Sequence, residues 1–379
     1  MRIFRRLGAV ALLLSTCIAI GCSGDVKIGA VVSKTGGVSP YGRQITRGLD
    51  LALAEINAAG GFKGGEIELI YRDDATNRET GKQVVRDLID NEGIKLIIGA
   101  ISSSVTMSIA PICEKKRALL LSPSASAPSI SELGEYIFRN YPSDILEGTA
   151  MADFARKLGM RRVVIIALDD EFGAGLTEVF SRQFESKSRQ ILETFRIKEG
   201  DTDAFDGIVE QLQELNPQGI YIVAYEDTVV DLLRRLRAAG VKAQMLGSAA
   251  VTEQLPAKAG DSADLFVYPQ PSFDPQSADR SVAAFVEAYT ARYDEPPDIY
   301  AAHGYDALKL LWQAMNDTGS AHPDEVRRGL LTLKGYKGAA GHTAFDERGD
   351  VVRYPTIFII RDGKSITFEQ FEKEGGQLS

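Results

Sequence analysis

Six serines carry the most suggestive chemistry in this chain. Ser102, Ser103 and Ser104 follow Gly99-Ala100-Ile101, between an expected strand ending at Ile98 and an expected helix from Val105. Hydroxyls and unpaired amides at a helix start can hold a carboxylate, helped by the helix dipole. Capping alone would use one of the three. Ser122, Ser124 and Ser126, interleaved with Pro123 and Ala125, come directly after the next expected strand, so the two hydroxyl-rich loops share one sheet edge. A plain Ser/Pro turn is the structural alternative for the second loop. Tyr41, Phe172, Tyr225 and Tyr300 flank expected elements where aromatic walls could face a cleft, although aromatic rings are more often core.

These residues need a scaffold, and from residue 26 onward short apolar runs alternate with amphipathic segments, the mark of parallel βα units. The first series reads as strands over 26–32, 66–71, 95–98 and 118–121 with helices over 46–58, 80–91 and 105–116. In the first of these helices Leu49, Ala52, Leu53 and Ile56 recur at helical spacing before Gly60-Gly61 ends it. A second series has strands over 161–167, 190–197 and 219–223, short strands near Gln244 and Leu265, and helices over 174–185, 204–215 and 228–239. Parallel strands are expected in both lobes. The stretch 268–275 holds three prolines, so it should be extended and is read as a crossing between lobes. Helices over 279–293, 300–315 and 323–333 follow, expected to return to the first lobe, then strands over 351–354 and 356–360.

The 379 residues amount to two or three domains at roughly 150 residues each. An apolar fraction of 44% with 25% charged residues is that of a folded globular protein. The formal charge of −9 gives no electrostatic footprint for nucleic acid. Arg2, Arg5 and Arg6 precede an uncharged run over 7–20, too short for the roughly 20 residues a spanning helix needs, so 1–21 reads as a signal peptide. Ala19-Ile20-Gly21-Cys22 resembles a bacterial lipobox, with Cys22 the residue that takes the lipid. With Cys17 inside the leader, Cys113 is the one cysteine left for the folded part, expected to be a small buried apolar residue, and no internal disulfide can form.

Catalytic signatures are missing. There is no phosphate-binding P-loop, no Gly-x-Ser-x-Gly elbow and no His-Glu-x-x-His helix. His303, His322 and His342 are the only histidines, and their scatter supports neither a zinc site nor histidine catalysis. Asp169-Asp170-Glu171 reads as a solvated turn at a strand end in preference to a metal cluster. No cofactor, no metal and no enzymatic activity are expected.

Together the residues resemble the branched-chain amino acid (Leu/Ile/Val) binding family of periplasmic solute-binding proteins that serve ABC importers. The likeness spans the chain after the leader: Ile28-Gly-Ala-Val-Val32, the ending Ala54-Glu-Ile-Asn-Ala-Ala-Gly-Gly61, Tyr71-Arg-Asp-Asp-Ala75, Ile97-Ile-Gly99, the run 102–104 and Leu121-Ser-Pro-Ser-Ala-Ser126. It implies an α/β type I periplasmic binding protein fold, two doubly wound parallel-sheet lobes joined by three crossovers and closing on a ligand. The lobes would comprise 22–144 with 272–353, and 145–271 with 354–379. The implied roles are carboxylate binding for Ser103, a head-group loop at Ser124, Ala125 and Ser126, and aromatic contacts from Tyr41, Tyr225 and Phe172, the last standing where Tyr is common; Tyr300 stays a candidate from its place beside an expected helix. Amino-acid binders also place an acid near Ala249 to pair with the ligand ammonium, and Gly247-Ser-Ala-Ala-Val251 offers none. Either Asp170 or Glu226 substitutes, or the ligand is a carboxylate without an amine. The implied partners are a small solute, most simply an aliphatic amino acid, a membrane permease, and the membrane itself through the lipid, at the periplasm or cell surface. A ligand sensor on the same fold and an exported enzyme with an unrecognised site are the rivals.

Overall fold

The computed structural model describes residues 24–271 and 273–378. The expected leader over 1–21 and the expected lipid site Cys22 lie outside the described residues. The first βα series runs β1 (Val26–Val32), α1 (Ser39–Ala58), β2 (Ile67–Asp73), α2 (Arg78–Arg86), β3 (Leu96–Ile98), α3 (Ser103–Lys116), β4 (Leu119–Ser122) and β5 (Ile137–Arg139). Its strands form one sheet in the order β2-β1-β3-β4-β5, every neighbouring pair parallel.

The second series is α4 (Asp144–Lys157), β6 (Arg162–Leu168), α5 (Glu171–Phe184), β7 (Gln190–Ile197), α6 (Phe205–Leu215), β8 (Gly219–Val223), α7 (Glu226–Ala238), β9 (Gln244–Gly247), α8 (Leu255–Ala259) and β10 (Val267–Pro271). Three helices, α9 (Arg280–Tyr293), α10 (Ile299–Thr318) and α11 (Pro323–Thr332), then return to the first lobe, followed by a small hairpin, β11 (Tyr336–Gly338) and β12 (Gly341–Thr343). The chain ends with β13 (Pro355–Arg361), β14 (Lys364–Thr367) and α12 (Phe368–Lys373) in the second lobe. That lobe's sheet has the order β14-β13-β10-β9-β8-β6-β7. It is parallel from β7 to β10 and antiparallel at the β13-β14 edge. The chain crosses between lobes after β5, after β10 and before β13.

One wiring therefore occurs twice, as β2-β1-β3-β4-β5 and as β7-β6-β8-β9-β10. In each sheet the strand order reverses at one place, between β1 and β3 and between β6 and β8, and ligands of open α/β sheets sit outside the strand carboxyl ends at that reversal. The central strands are apolar along their whole length because helices cover both faces: Val163 to Leu168 is buried throughout, as is Gly219 to Val223. Helices α1 and α10 cross with backbones almost touching. A Cβ on Gly48 would fall 2.1 Å from the Ala301 carbonyl oxygen, and one on Gly304 2.5 Å from that of Ile45. Any larger residue at either position would push the two helices apart.

The structure departs from expectation at several elements. α1 begins at Ser39, a full two turns before residue 46, because Pro40 suits the first turn of a helix. The expected strand over 351–354 is only a single bridge, Val351 to Phe345, with Val352 and Tyr354 68% and 73% exposed. The prolines at 269 and 271 lie inside β10, which beyond Val267 pairs only with β13, so the crossing starts after Pro271. Unanticipated are β5, α4, α8, the β11-β12 hairpin, β14 and α12. Of these α4 matters most, since two acids on its buried face, Asp144 and Glu147, interrupt the apolar periodicity that would have announced it.

Candidate ligand site between the lobes

A cavity with about 430 Å³ of atom-free space, part of it open to solvent, lies between the lobes, at both strand-order reversals at once. The first lobe supplies Tyr41 from beyond β1, Ser102 and Ser103 from beyond β3, Ser124 and Ser126 from beyond β4, and Tyr141 and Tyr300. The second supplies Phe172 from beyond β6, Tyr225 from beyond β8, Ala249 and Ala250 from beyond β9, and Glu147 from α4.

The three consecutive serines divide the labour. Ser102 is the N-cap of α3, its side chain accepting from the Val105 amide at 3.2 Å. Ser103 reaches across to the next loop, where its oxygen accepts from the Ser126 and Ala127 amides at 3.2 and 3.1 Å. Its own hydroxyl proton remains for the cavity, beside the first-turn amides of α3 that no intrahelical carbonyl can satisfy. Ser104 turns outward toward a different groove and its buried hydroxyl has no partner. In the second loop Ser122 donates to the Ala100 carbonyl at 2.7 Å and Ser124 to that of Ile101 at 2.7 Å. Arg139, fully buried, pins the loop from behind: it pairs with Asp350 at 2.6 Å and donates to the Ala127 carbonyl at 2.8 Å and to Ser131 at 2.6 Å.

Aromatic rings form the rest of the wall in an unbroken series. Phe172 stacks on Tyr225 at 5.6 Å, Tyr225 meets Tyr41 at 5.8 Å, Tyr41 meets Tyr300 at 4.7 Å, and Tyr300 stacks on Tyr141 at 6.0 Å. Two of these rings also bridge the lobes. The Tyr41 hydroxyl donates to the Ala250 carbonyl at 2.7 Å and accepts from the Glu226 amide at 2.9 Å, while Tyr300 donates to the Ala249 carbonyl at 3.2 Å. An Arg78–Glu171 ion pair spans the gap at the rim. The lobes are closed on each other.

A model of the family described as "Periplasmic binding protein" matches residues 25–364. The chain belongs to this family. It is 30% identical over 350 residues to the Leu/Ile/Val/Thr-binding protein of Salmonella typhimurium, covering 89% of this chain and 93% of that one. It is 29% identical over 348 residues to the Leu/Ile/Val-binding protein of Escherichia coli, with the same coverage. The crystal structure of a leucine binding protein from Thermotoga maritima superposes with a TM-score of 0.84 at 26% identity, covering 90% of this chain and 97% of that chain. Among the described residues no helix is long and apolar enough to cross a membrane.

In this periplasmic binding protein Tyr41, Ser103, Ser124, Ser126, Phe172, Tyr225 and Tyr300 come together around one cavity, whereas Ala125 does not line it. Side chains of Ser124 and Ser126 turn to the cavity, so the methyl between them goes the other way, into the core with Cys113 and Ile137. Neither acid considered as a substitute near Ala249 reaches the cavity. Asp170 caps α5, accepting from the Gly173 amide at 2.8 Å. Glu226 faces a neighbouring cleft, where it accepts from the Thr252 amide and pairs with Lys258 at 2.7 Å. The Asp169-Asp170-Glu171 turn is thus a helix cap and an interlobe ion pair.

Two cavity residues had no sequence signal. Tyr141 and Glu147 lie in and just before α4, the helix that the apolar pattern failed to announce. Glu147 accepts from the Ala249 amide at 2.9 Å. Burial and the neighbouring Asp144 raise its carboxyl well above the ordinary range, with the Ala249 amide opposing the shift. Burial likewise pushes Asp144 up to about 7, against the pull of the Ser126 hydroxyl and Arg139. His303 lies apart from the cavity, buried with neither ring nitrogen partnered, and burial holds its pKa well below the usual value. Cys113 is fully buried, which pushes its thiol up to about 12 and leaves it inert.

Proposed function

We propose that this protein is the extracytoplasmic solute-binding component of an ABC importer and captures an aliphatic, branched-chain amino acid by lobe closure. The observation that carries this is the pairing, in one cavity, of a hydroxyl-and-amide edge at Ser103 and Ser126 with a predominantly aromatic remainder. A ligand carboxylate would sit at the α3 N-terminus, where the Ser103 hydroxyl and the free amides replace its water, and an aliphatic body would lie among Tyr41, Phe172, Tyr225 and Tyr300. Ligand contacts to both lobes favour the closed form, whose outer surface a permease would recognise. No bond is made or broken: Ser103 has no base beside it, since its oxygen is held by two backbone amides.

The lobes of this proposal comprise 22–144 with 272–353, and 145–271 with 354–379. After removal of 1–21 the chain would be held at the membrane by lipid on Cys22. The likeness to leucine-binding and Leu/Ile/Val-binding proteins supports the ligand class. The test is isothermal titration of the refolded, ligand-free protein with leucine, isoleucine and valine and with their deaminated analogues. Saturable binding of at least one of the amino acids is expected; binding of the deaminated compounds alone would overturn the assignment. For the anchor, Cys22→Ser should release the protein into the soluble periplasmic fraction, and a variant that stayed acylated would refute it.

A further inference from the structure

An amino acid brings a cation as well as an anion into the cavity, and a buried ammonium without an anionic partner is strongly disfavoured. None of the residues lining the cavity is basic, and Glu147 is the one carboxylic acid among them. It is 7% exposed and starts one turn after Asp144, 1% exposed, on the same face of α4. One Glu147 oxygen is held by the Ala249 amide at 2.9 Å, which sets the carboxyl beside the small side chain where the family resemblance calls for an acid. Close by, the Tyr141 hydroxyl lines the same cavity in a residue 4% exposed and, among the described residues, makes no hydrogen bond of ordinary length, although the Tyr300 hydroxyl is near enough to influence it. A buried hydroxyl left unpaired is costly unless something arrives to use it.

We propose that Glu147, assisted by Tyr141, is the amine-recognition group of this site, so that the charge missing at Ala249 is delivered from α4. The inference rests on the cavity being an amino-acid site. Ala249 then has a positive reason to be small: its methyl leaves room for the Glu147 side chain to fold over its amide. An ammonium has three protons to donate, and the free Glu147 oxygen and the Tyr141 hydroxyl are acceptors for two of them. Raising of the Glu147 carboxyl by burial and by Asp144 fits this role, since an ammonium is what would bring it back to the charged form.

The experiment titrates leucine and its deaminated analogue, 4-methylpentanoate, into the wild-type protein and into Glu147→Gln. The wild type should prefer leucine. The variant should lose about 100- to 1000-fold in leucine affinity, because a charged partner becomes a neutral one, while keeping or improving its affinity for 4-methylpentanoate. A purely structural role for Glu147 would weaken both ligands together, and that result overturns the inference. Unchanged leucine affinity in Glu147→Gln overturns it too but leaves the amino-acid assignment standing. A wild-type protein that binds 4-methylpentanoate and not leucine removes both. If Glu147→Gln gives no cooperative melt, Glu147→Asp replaces it: the charge is kept but withdrawn, and leucine alone should weaken, by roughly tenfold; equal weakening of both ligands again counts against the inference.

Discussion

The two lobes share a wiring diagram and differ in where their hydroxyls lie: both bring aromatic rings to the cavity, and the serine loops come from the first lobe alone. Positions after the first, third and fourth strands of the first lobe carry Tyr41, Ser103 and the Ser124–Ser126 loop; the equivalent positions of the second carry Phe172, Tyr225 and Ala249-Ala250. The first lobe's serine loops are polar and fastened in advance: Ser103 ties the two together, and Arg139 with Asp350 holds the second from behind. On the other side the strand-end loops give rings and bare backbone, and the acid comes from a helix outside the repeated βα pattern. Topology thus decides where a site lies, while the side chains at matching loops decide what it recognises.

Arg139→Leu should break this contrast most severely. It strands Asp350 and leaves the Ala127 carbonyl and Ser131 without their donor, which should cost about 3–5 kcal/mol of stability. A lower urea midpoint at unchanged m-value would record the loss, and a variant as stable as the wild type would mean that the polar wall is not pinned in advance. Ser103→Ala comes next, with an expected loss of about 1–3 kcal/mol in ligand binding; normal affinity would reject its carboxylate role. Tyr41→Phe removes two hydrogen bonds that join the lobes and should shift the unliganded protein toward the open form by about 1 kcal/mol, measurable as a larger radius of gyration in small-angle scattering. Identical scattering curves for variant and wild type would show that Tyr41 does not hold the lobes together.

The smallest effect is one group's share in the pH dependence. Burial holds Asp144 at about 7 in the folded protein, against 3.8 for an ordinary Asp. Between those values the folded state keeps a proton that the unfolded chain has released, so this group makes stability fall as pH rises through the window and adds no further slope above it. Asp144→Asn should flatten the melting temperature of the ligand-free protein against pH between about 4 and 7. A slope identical to that of the wild type would show that Asp144 ionises normally.

Strands were legible where both faces are buried. Gly219–Val223 was read to the residue, because a parallel strand covered by helices is apolar from end to end. α4 was not legible, since its buried face mixes Asp144, Glu147 and Gly148 with Met151, Ala152 and Ala155. The same two acids hid the helix, and one of them, Glu147, lines the cavity: a buried acid breaks the pattern that packing would impose. Ala125 was misplaced for a simpler reason, in that loop composition does not say which of three successive side chains turns inward.

The amino-acid sequence on its own determined the α/β class, the repeated strand–helix order and the placing of two serine loops at neighbouring strand ends, because periodicity and turn residues are local properties of the chain. Only the tertiary structure decided which acid meets the cavity. Asp170, Glu226 and Glu147 are alike as sequence, yet helix capping takes the first and Lys258 with the Thr252 amide takes the second. Glu147 is left facing the cavity because α4 packs beside β10 and β13, more than a hundred residues along the chain, and the charge a buried group can answer depends on those distant neighbours.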